Sequence, residues 1–452
     1  MMQAQKTEYK HAAIAGGGTA GLIMAQLAAK LYDEVTIYEG WKGAPQNNHA
    51  HIFLAEGYKS VTEAFPNFRA TMLAKGANEV DFTRDIRLLL PKGWIPTKAS
   101  GIKTLVATKG LIEWGLRKEV SENPKIKIVS NAHVSGIELE RGAVIGLSVT
   151  SAGRHLQTAH ADLVVDASGS TSQASNWLEE AGFGTPKVDQ IITNIGCASM
   201  KFRIDKLADK DWKMVILNTR APDMPRMGYL MKIEGAPKEN NYLVSLGGMM
   251  GNHPPTDLNG FKQFASTLAH PVIREALEDA VPISEMHGFR VHGSNMYHYD
   301  RMQCWPNNFI VIGDAYSRTN PFYGQGMTVA ALQALAVAET IFKYKQAGTY
   351  LGIAKECQIS IAKATSLSWL LATGEDLRWA GAGTKIPYAT RMVHKYIDSM
   401  IAASPGSIRV TKALLELVHM SAPPVAIFGS RVVADMVKTR MLRKPVSTVM
   451  PR

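Results

Sequence analysis

A short apolar run, Ala12-Ala-Ile-Ala15, leads into three glycines, then an apolar helix-length segment from Leu22 to Leu31. A second apolar run follows at Val35-Thr-Ile-Tyr38. This reads as strand, loop, helix and strand, the opening of a βαβ unit. Thr108 to Val120 places Leu111, Ile112, Leu116 and Val120 on one helical face. The alternating pieces Ile126–Val129, Val134–Leu139 and Val144–Thr150 predict an antiparallel meander inserted into the sheet. Leu163-Val-Val165 and Phe309-Ile-Val-Ile312 are continuous apolar runs, as strands buried on both faces require. Between about 190 and 285 the texture changes. Strand-like pieces such as Tyr242–Leu246 alternate with the loop Gly251-Asn-His-Pro-Pro-Thr256, which predicts a separate domain laid over the first. Met327 to Tyr344 is a long Ala-rich helix, and the remainder is helical in pattern, with turns at Ser404-Pro-Gly406 and Ala422-Pro-Pro424.

At 452 residues the chain exceeds what one core supports and predicts two or three domains. Hydrophobic residues at 46% and charged residues at 20% describe a globular composition. Residues 1–10 carry no signal-peptide h-region, and Gln333 and Glu339 interrupt the most apolar helix, so a cytoplasmic protein is expected. Three scattered cysteines offer neither a disulfide framework nor a metal-ligand spacing. The net charge of +11 concentrates partly at Lys438, Arg440, Arg443, Lys444 and Arg452. No aromatic residue interleaves these, which argues against nucleic acid. They predict a solvated tail, with weak attraction to an anionic membrane surface as the alternative. Leu414, Leu415, Leu417 and Val418 are the apolar residues that could rest on such a surface, and packing against the other domains explains them equally well.

The chemistry begins in the first loop, Gly16-Gly-Gly18-Thr19-Ala20-Gly21, with Glu39 closing the second strand. Gly16 suits a tight turn, Gly18 a close approach to a pyrophosphate, and Gly21 helix–sheet packing, while Glu39 suits a ribose. Strand, glycines, helix and terminal acid together form a dinucleotide-binding fingerprint. A second motif, Gly313-Asp314-Ala315, precedes Pro321-Phe-Tyr-Gly324-Gln325-Gly326-Met327 at the start of the Ala-rich helix. Asp314 suits ribityl hydroxyls. The helix start would stabilise negative charge on a reduced flavin. A third motif, Asp166-Ala-Ser-Gly169, follows Leu163–Val165.

In this order the three motifs resemble the FAD-dependent monooxygenases of the para-hydroxybenzoate-hydroxylase type, most of all the flavin epoxidases of polyether biosynthesis. The resemblance runs from about residue 10 to 345 and also rests on Pro45-Gln-Asn-Asn-His49-Ala-His51, Lys109–Trp114, Pro254-Pro-Thr256 and His298-Tyr-Asp-Arg301. It implies a glutathione-reductase-type FAD-binding Rossmann domain in three parts (8–70, 104–188 and 289–345). An inserted sheet-rich substrate domain (71–103 and 189–288) and a helical C-terminal region (346–452) complete the α/β fold. It also implies that Gly16, Gly18, Thr19, Ala20, Gly21 and Glu39 hold the ADP half. Lys109, Asp166, Gly169, Gly313 and Asp314 would lie along the pyrophosphate and ribityl chain, with Pro321, Gly324, Gln325, Gly326 and Met327 at the ring. The implied reaction inserts one oxygen atom from O2 into a hydrophobic small molecule, by epoxidation or hydroxylation, through a flavin C4a-hydroperoxide. Relatives place an arginine after the glycine of the third motif, where this chain has Ser170. Electrons from NADPH or NADH would therefore arrive directly or through a partner flavin reductase. His49, Tyr316, Arg318, Phe322 and Tyr323 are the pocket candidates. His49 and His51 lack a third ligand for a metal. Two alternatives share the scaffold: a saturase of the geranylgeranyl-reductase type, and a flavin-dependent halogenase, whose Trp-x-Trp-x-Ile-Pro segment is echoed only by Trp94-Ile-Pro96.

Overall fold

The computed structural model describes residues 10–40, 49–151, 156–235, 239–379, 386–441 and 450–451. Pro45 to Asn48, Arg443, Lys444 and Arg452 lie outside the described residues.

The apolar runs assemble into one five-stranded parallel sheet in the order Phe309–Val311, Leu163–Asp166, His11–Ala15, Glu34–Glu39, Ile126–Ser130. Helices Thr19–Ala28, Lys109–Glu122 and Gly326–Gln346 pack around it, and Ala13, Ile14, Val164, Ile310 and Ala334 are fully buried in one core. One prediction is corrected here. Ile126–Ser130 is not part of a meander but the edge strand of the parallel sheet, paired with Glu34–Glu39. The meander itself is the three-stranded antiparallel sheet of Ala132–Glu140, Ala143–Ser151 and Gln157–His160. The helix Lys109–Glu122 feeds directly into Ile126, so a crossover connection, invisible to alternation alone, sets the pairing.

A second, nine-stranded sheet is built on the long strand Val188–Arg203, flanked by His287–Tyr297 and Asn241–Gly248. Its two faces differ. Ala198, Phe202, Tyr242, Val244 and Leu246 pack under helices Leu258–Ala265 and Val272–Leu277, forming an outer core. The alternate residues Cys197 and Ser199, with their cross-strand partners Phe289, Gly247 and Ser245, face the half built on the five-stranded sheet.

The C-terminal helices close the other end of that inner face. Met400, Val410, Leu414, Leu415 and Leu417 share a core with Ile86, Leu88, Met214, Met231 and Leu243. Leu414, Leu415 and Leu417 are therefore interior residues, and only Val418 of the proposed membrane-resting group is exposed. Lys438 and Arg440 are exposed on the helix Ser430–Met441, and the carbonyl of Pro451 returns to accept from the buried Arg87, Nε to O 3.2 Å. Among the described residues no helix is long and apolar enough to cross a membrane.

Candidate active site

The first glycines meet the chain from two sides. Gly16 has φ +109°, and a Cβ there would stand 2.4 Å from the carbonyl oxygen of Ala167. A Cβ on Gly21 would stand 1.8 Å from the Gly16 carbonyl oxygen, so helix and loop touch. Gly18 differs: nothing lies within 4 Å of its Cβ position, and as N-cap of Thr19–Ala28 it makes no side-chain cap. The first-turn amides therefore face open space, as an anion site requires.

Glu39 is engaged by a residue the motif search missed. Arg117 donates to both of its carboxylate oxygens at 3.1 and 2.8 Å and to the Gly17 carbonyl at 2.8 Å, while Ser130 Oγ donates to Glu39 at 2.8 Å. Lys109, Glu113 and Arg117 form an i, i+4, i+8 stripe on one helix, which was legible in the sequence. Lys109 is buried, 3.7 Å from Glu113, which accepts from Thr19 Oγ1 at 3.1 Å. Ala20 and Gly313 meet where a Gly313 Cβ would come within 2.9 Å, joining the first and second motifs.

Asp314 is half-buried, and its carboxylate accepts no hydrogen bond from a described residue. Burial raises its pKa against the opposing fields of Lys109 and Arg318. Beyond it, Pro321–Tyr323 forms a single 3₁₀ turn capped by Asn320 Oδ1, which accepts from Phe322 N at 3.0 Å, and ended by Gly324 at φ +64°. Gly326 opens the following helix with nothing within 4 Å of its Cβ position. Gln325 Oε1 and Arg318 Nε are buried without a hydrogen-bond partner. Open cradles at Gly18 and Gly326, joined by unpaired polar atoms on Asp314, Gln325 and Arg318, fit an extended dinucleotide with a polar chain between its ends.

Two candidates turn away from this line. The Asp166 carboxylate is fully buried and already accepts from Ser168 N at 2.9 Å and Ser172 Oγ at 2.5 Å; Gly169 stays open. Tyr316 is a core residue, tilted against Tyr299 at 6.2 Å with its hydroxyl donating to Asp300 at 3.2 Å, and does not line a pocket. Both were assigned from position next to a motif, which does not reveal which way a side chain turns.

Above the cradle stands the inner face of the large sheet. Phe322 lies on Gly247, where a Cβ would be 2.4 Å from its ring, and its carbonyl accepts from Tyr229 Oη at 2.9 Å. Phe322 also packs against the cluster of Ile195, Met249 and Trp379. Cys197, Phe289, Tyr229, Phe322 and Tyr323 are half-buried where the inner sheet face meets the cradle, so the seam between the two is largely apolar. Tyr323 Oη donates to Asp376 at 2.9 Å. The buried Asp376 also accepts from Ser294 Oγ at 2.7 Å and Asn320 Nδ2 at 2.8 Å, tying sheet, flavin-motif turn and C-terminal region together.

His49 stands over the sheet, its ring 4.5 Å from Phe289 in an edge-on contact. Burial and the fields of His287 and Lys109 lower its pKa to about 4. The His51 pKa falls to about 3, again chiefly by burial, and its Nδ1–H donates to the His49 carbonyl at 2.9 Å. Both imidazoles are neutral at pH 7.

A parallel sheet with a glycine cradle, roofed by a mixed, mostly antiparallel sheet and closed by C-terminal helices, is a fold shared with flavin-dependent monooxygenases and halogenases. The chain is similar to the flavin-dependent brominase Bmp2 at a TM-score of 0.66, with 12% identity over 96% of this chain and 99% of that one. It is similar to p-nitrophenol 4-monooxygenase PnpA from Pseudomonas putida at a TM-score of 0.64, with 14% identity over 91% and 98%. In sequence it is 26% identical to Protein Rv3254 of Mycobacterium tuberculosis over 472 residues, covering 97% of each chain. No protein-family model matches it.

Proposed function

We propose that the protein is an FAD-dependent monooxygenase acting on a hydrophobic small molecule, built on the domain division that the motifs imply. The observation that carries this reading is the line from Gly18 past Asp314 to Gln325 and Gly326, where open backbone and unpaired polar groups run beneath the apolar inner face of the large sheet. Glu39 and Arg117 would hold the adenosine ribose, the Thr19 helix start and Lys109 the pyrophosphate, and Asp314 the ribityl hydroxyls. When bound, FAD supplies the two-electron redox chemistry that activates O2. This chain's own residues position and seclude. Phe322, Met249, Ile195 and Trp379 would exclude water from the seam between sheet and cradle, and the N-terminal amides of Gly326–Gln346 would offset negative charge at the ring. Such chemistry needs no protein nucleophile. Epoxidation and hydroxylation make the same demands on these walls.

The test is anaerobic titration of the purified yellow protein with NADPH and NADH, followed at the flavin absorbance. Bleaching, then oxygen uptake with an apolar alkene or phenol, is the expected course. Bleaching by dithionite alone places a partner flavin reductase upstream. A protein that carries no flavin overturns the reading.

A halogenase is the second reading, favoured by the likeness to the brominase Bmp2. Against it, Trp94 packs in the outer core with His270 edge-on at 5.1 Å, on the sheet face away from the glycine cradle. Bromide-dependent product formation would establish this second reading instead.

A further inference from the structure

We infer that His49 presents a fixed neutral Nε2–H donor to the ligand of this site, and that the ligand answers with a carbonyl-type oxygen. The inference rests on the oxygenase reading above and adds a recognition element to it.

The proton positions follow from donor accounting. Ala50 N–H can only donate, and it points to Ser245 Oγ at 3.2 Å. Ser245 Oγ has one other partner, Ser199 Oγ at 2.6 Å, and Ser199 Oγ lies 2.7 Å from His49 Nδ1. With Ser245 donating to Ser199 and Ser199 donating to Nδ1, every hydroxyl proton in the chain has an acceptor. Run in reverse, the Ser245 proton is left with none, although the side chain is buried. Cys197 Sγ, at 3.9 Å from both Nδ1 and Ser199 Oγ, is too distant to compete. Nδ1 is therefore the acceptor, and the ring proton sits on Nε2.

That Nε2 is buried with no hydrogen-bond partner on a residue only 3% exposed. Buried donors are almost always paired in folded proteins, so an orphan at the seam of sheet and cradle marks a place where a ligand atom completes the bond. The surroundings indicate the acceptor's chemistry: a neutral N–H beside the Phe289 ring pairs with an electron-rich oxygen such as a carbonyl, which the nearby Lys109 and His287 fields also favour. Two sources supply such an oxygen: a carbonyl of the isoalloxazine ring, or a carbonyl of the substrate.

The experiment is imidazole 1H–15N correlation on histidine-labelled protein, with His49 assigned by its loss in His49→Gln. The Nε2–H tautomer is expected at pH 7, and an Nδ1–H or imidazolium pattern there overturns the proposal. Ser245→Ala, which removes the head of the relay, is expected to give a mixed-tautomer signal. FAD is then added to the apoprotein, and acetophenone, as a carbonyl probe, to the holoprotein. A downfield move of the Nε2 proton with FAD assigns the oxygen to the ring, and a move only with acetophenone assigns it to the substrate. A proton that neither ligand moves overturns the proposal. His49→Phe is expected to weaken the responsible ligand roughly tenfold, the worth of one buried hydrogen bond. Flavin fluorescence quenching separates the two levels. Tight FAD binding with a His49 proton that neither FAD nor acetophenone moves sinks this inference alone, whereas absence of FAD binding sinks the oxygenase reading itself.

Discussion

At the residue scale the glycines separate folding from binding. Gly21 faces a carbonyl oxygen 1.8 Å from its Cβ position, whereas Gly18 faces nothing within 4 Å. Gly21→Ala is therefore expected to destabilise the protein by at least about 3 kcal/mol, since neither backbone can yield. Gly18→Ala should melt within about 0.5 kcal/mol of wild type yet lose FAD affinity at least tenfold, because the added methyl occupies only the pyrophosphate's space. Thermal melts of apoprotein beside FAD titrations check both. Asp314 gives a pH-dependent counterpart. Its folded pKa is raised by burial, so its contribution is fully present below the unfolded value of 3.8 and is lost as pH rises through the folded value. FAD-free Asp314→Asn should thus be more stable than wild type at pH 8, with the gap closing toward pH 4, while binding FAD more weakly. Histidines act with the opposite sign. His49, lowered to about 4, and His51 and His419, lowered to about 3, contribute stability that is present above 6.5 and lost as pH falls toward those values. Each adds up to about 1.4 kcal/mol per pH unit to the acid slope. In His419→Gln the dependence of melting temperature on pH below 6.5 should be shallower by one proton.

At the scale of elements, the couplings run across long sequence distances. The helix Ala55–Ala64 has no side-chain cap of its own. Its first amides are received instead by His419: Ala55 N donates to Nδ1 at 3.0 Å and Glu56 N to the carbonyl at 3.3 Å. A C-terminal residue thus performs the capping that local sequence normally supplies. Asp376 braces the Pro321–Tyr323 turn differently, through the side chains of Asn320 and Tyr323 rather than a backbone amide. Replacing it with alanine leaves Ser294, Asn320 and Tyr323 without their shared acceptor. A loss of about 3 kcal/mol is expected, with FAD affinity falling because the turn that carries Phe322 and Tyr323 loosens. Chemical denaturation and flavin fluorescence would show the two effects together; weakened stability with unchanged FAD affinity would separate the turn from the cofactor.

At the scale of the whole molecule, the C-terminal region is part of the scaffold. A chain ending at residue 385 would bare Ile86, Leu88, Met214, Met231 and Leu243, which the C-terminal helices cover. Expression of that truncation should yield aggregate, and a monodisperse peak in gel filtration would refute this view of the core. The division between sequence and tertiary structure follows from the range of the interactions. By itself the sequence determined the parallel βαβ frame, the glycine cradle, Glu39 and Asp314, because turns, apolar runs and helix starts obey rules that span only a few residues. Arg117 was within its reach, one helical stripe from Lys109. Only the tertiary structure decided that Tyr316 turns into the core and that Leu414 and Leu417 cover the large sheet. The same holds for Asp376, 56 residues from Asn320, and for Ser199 and Ser245, about 150 and 195 residues from their partners His49 and Ala50. The direction of a side chain and the partner of a buried polar atom are set by strands and helices that meet only when the chain has folded. No local pattern encodes them.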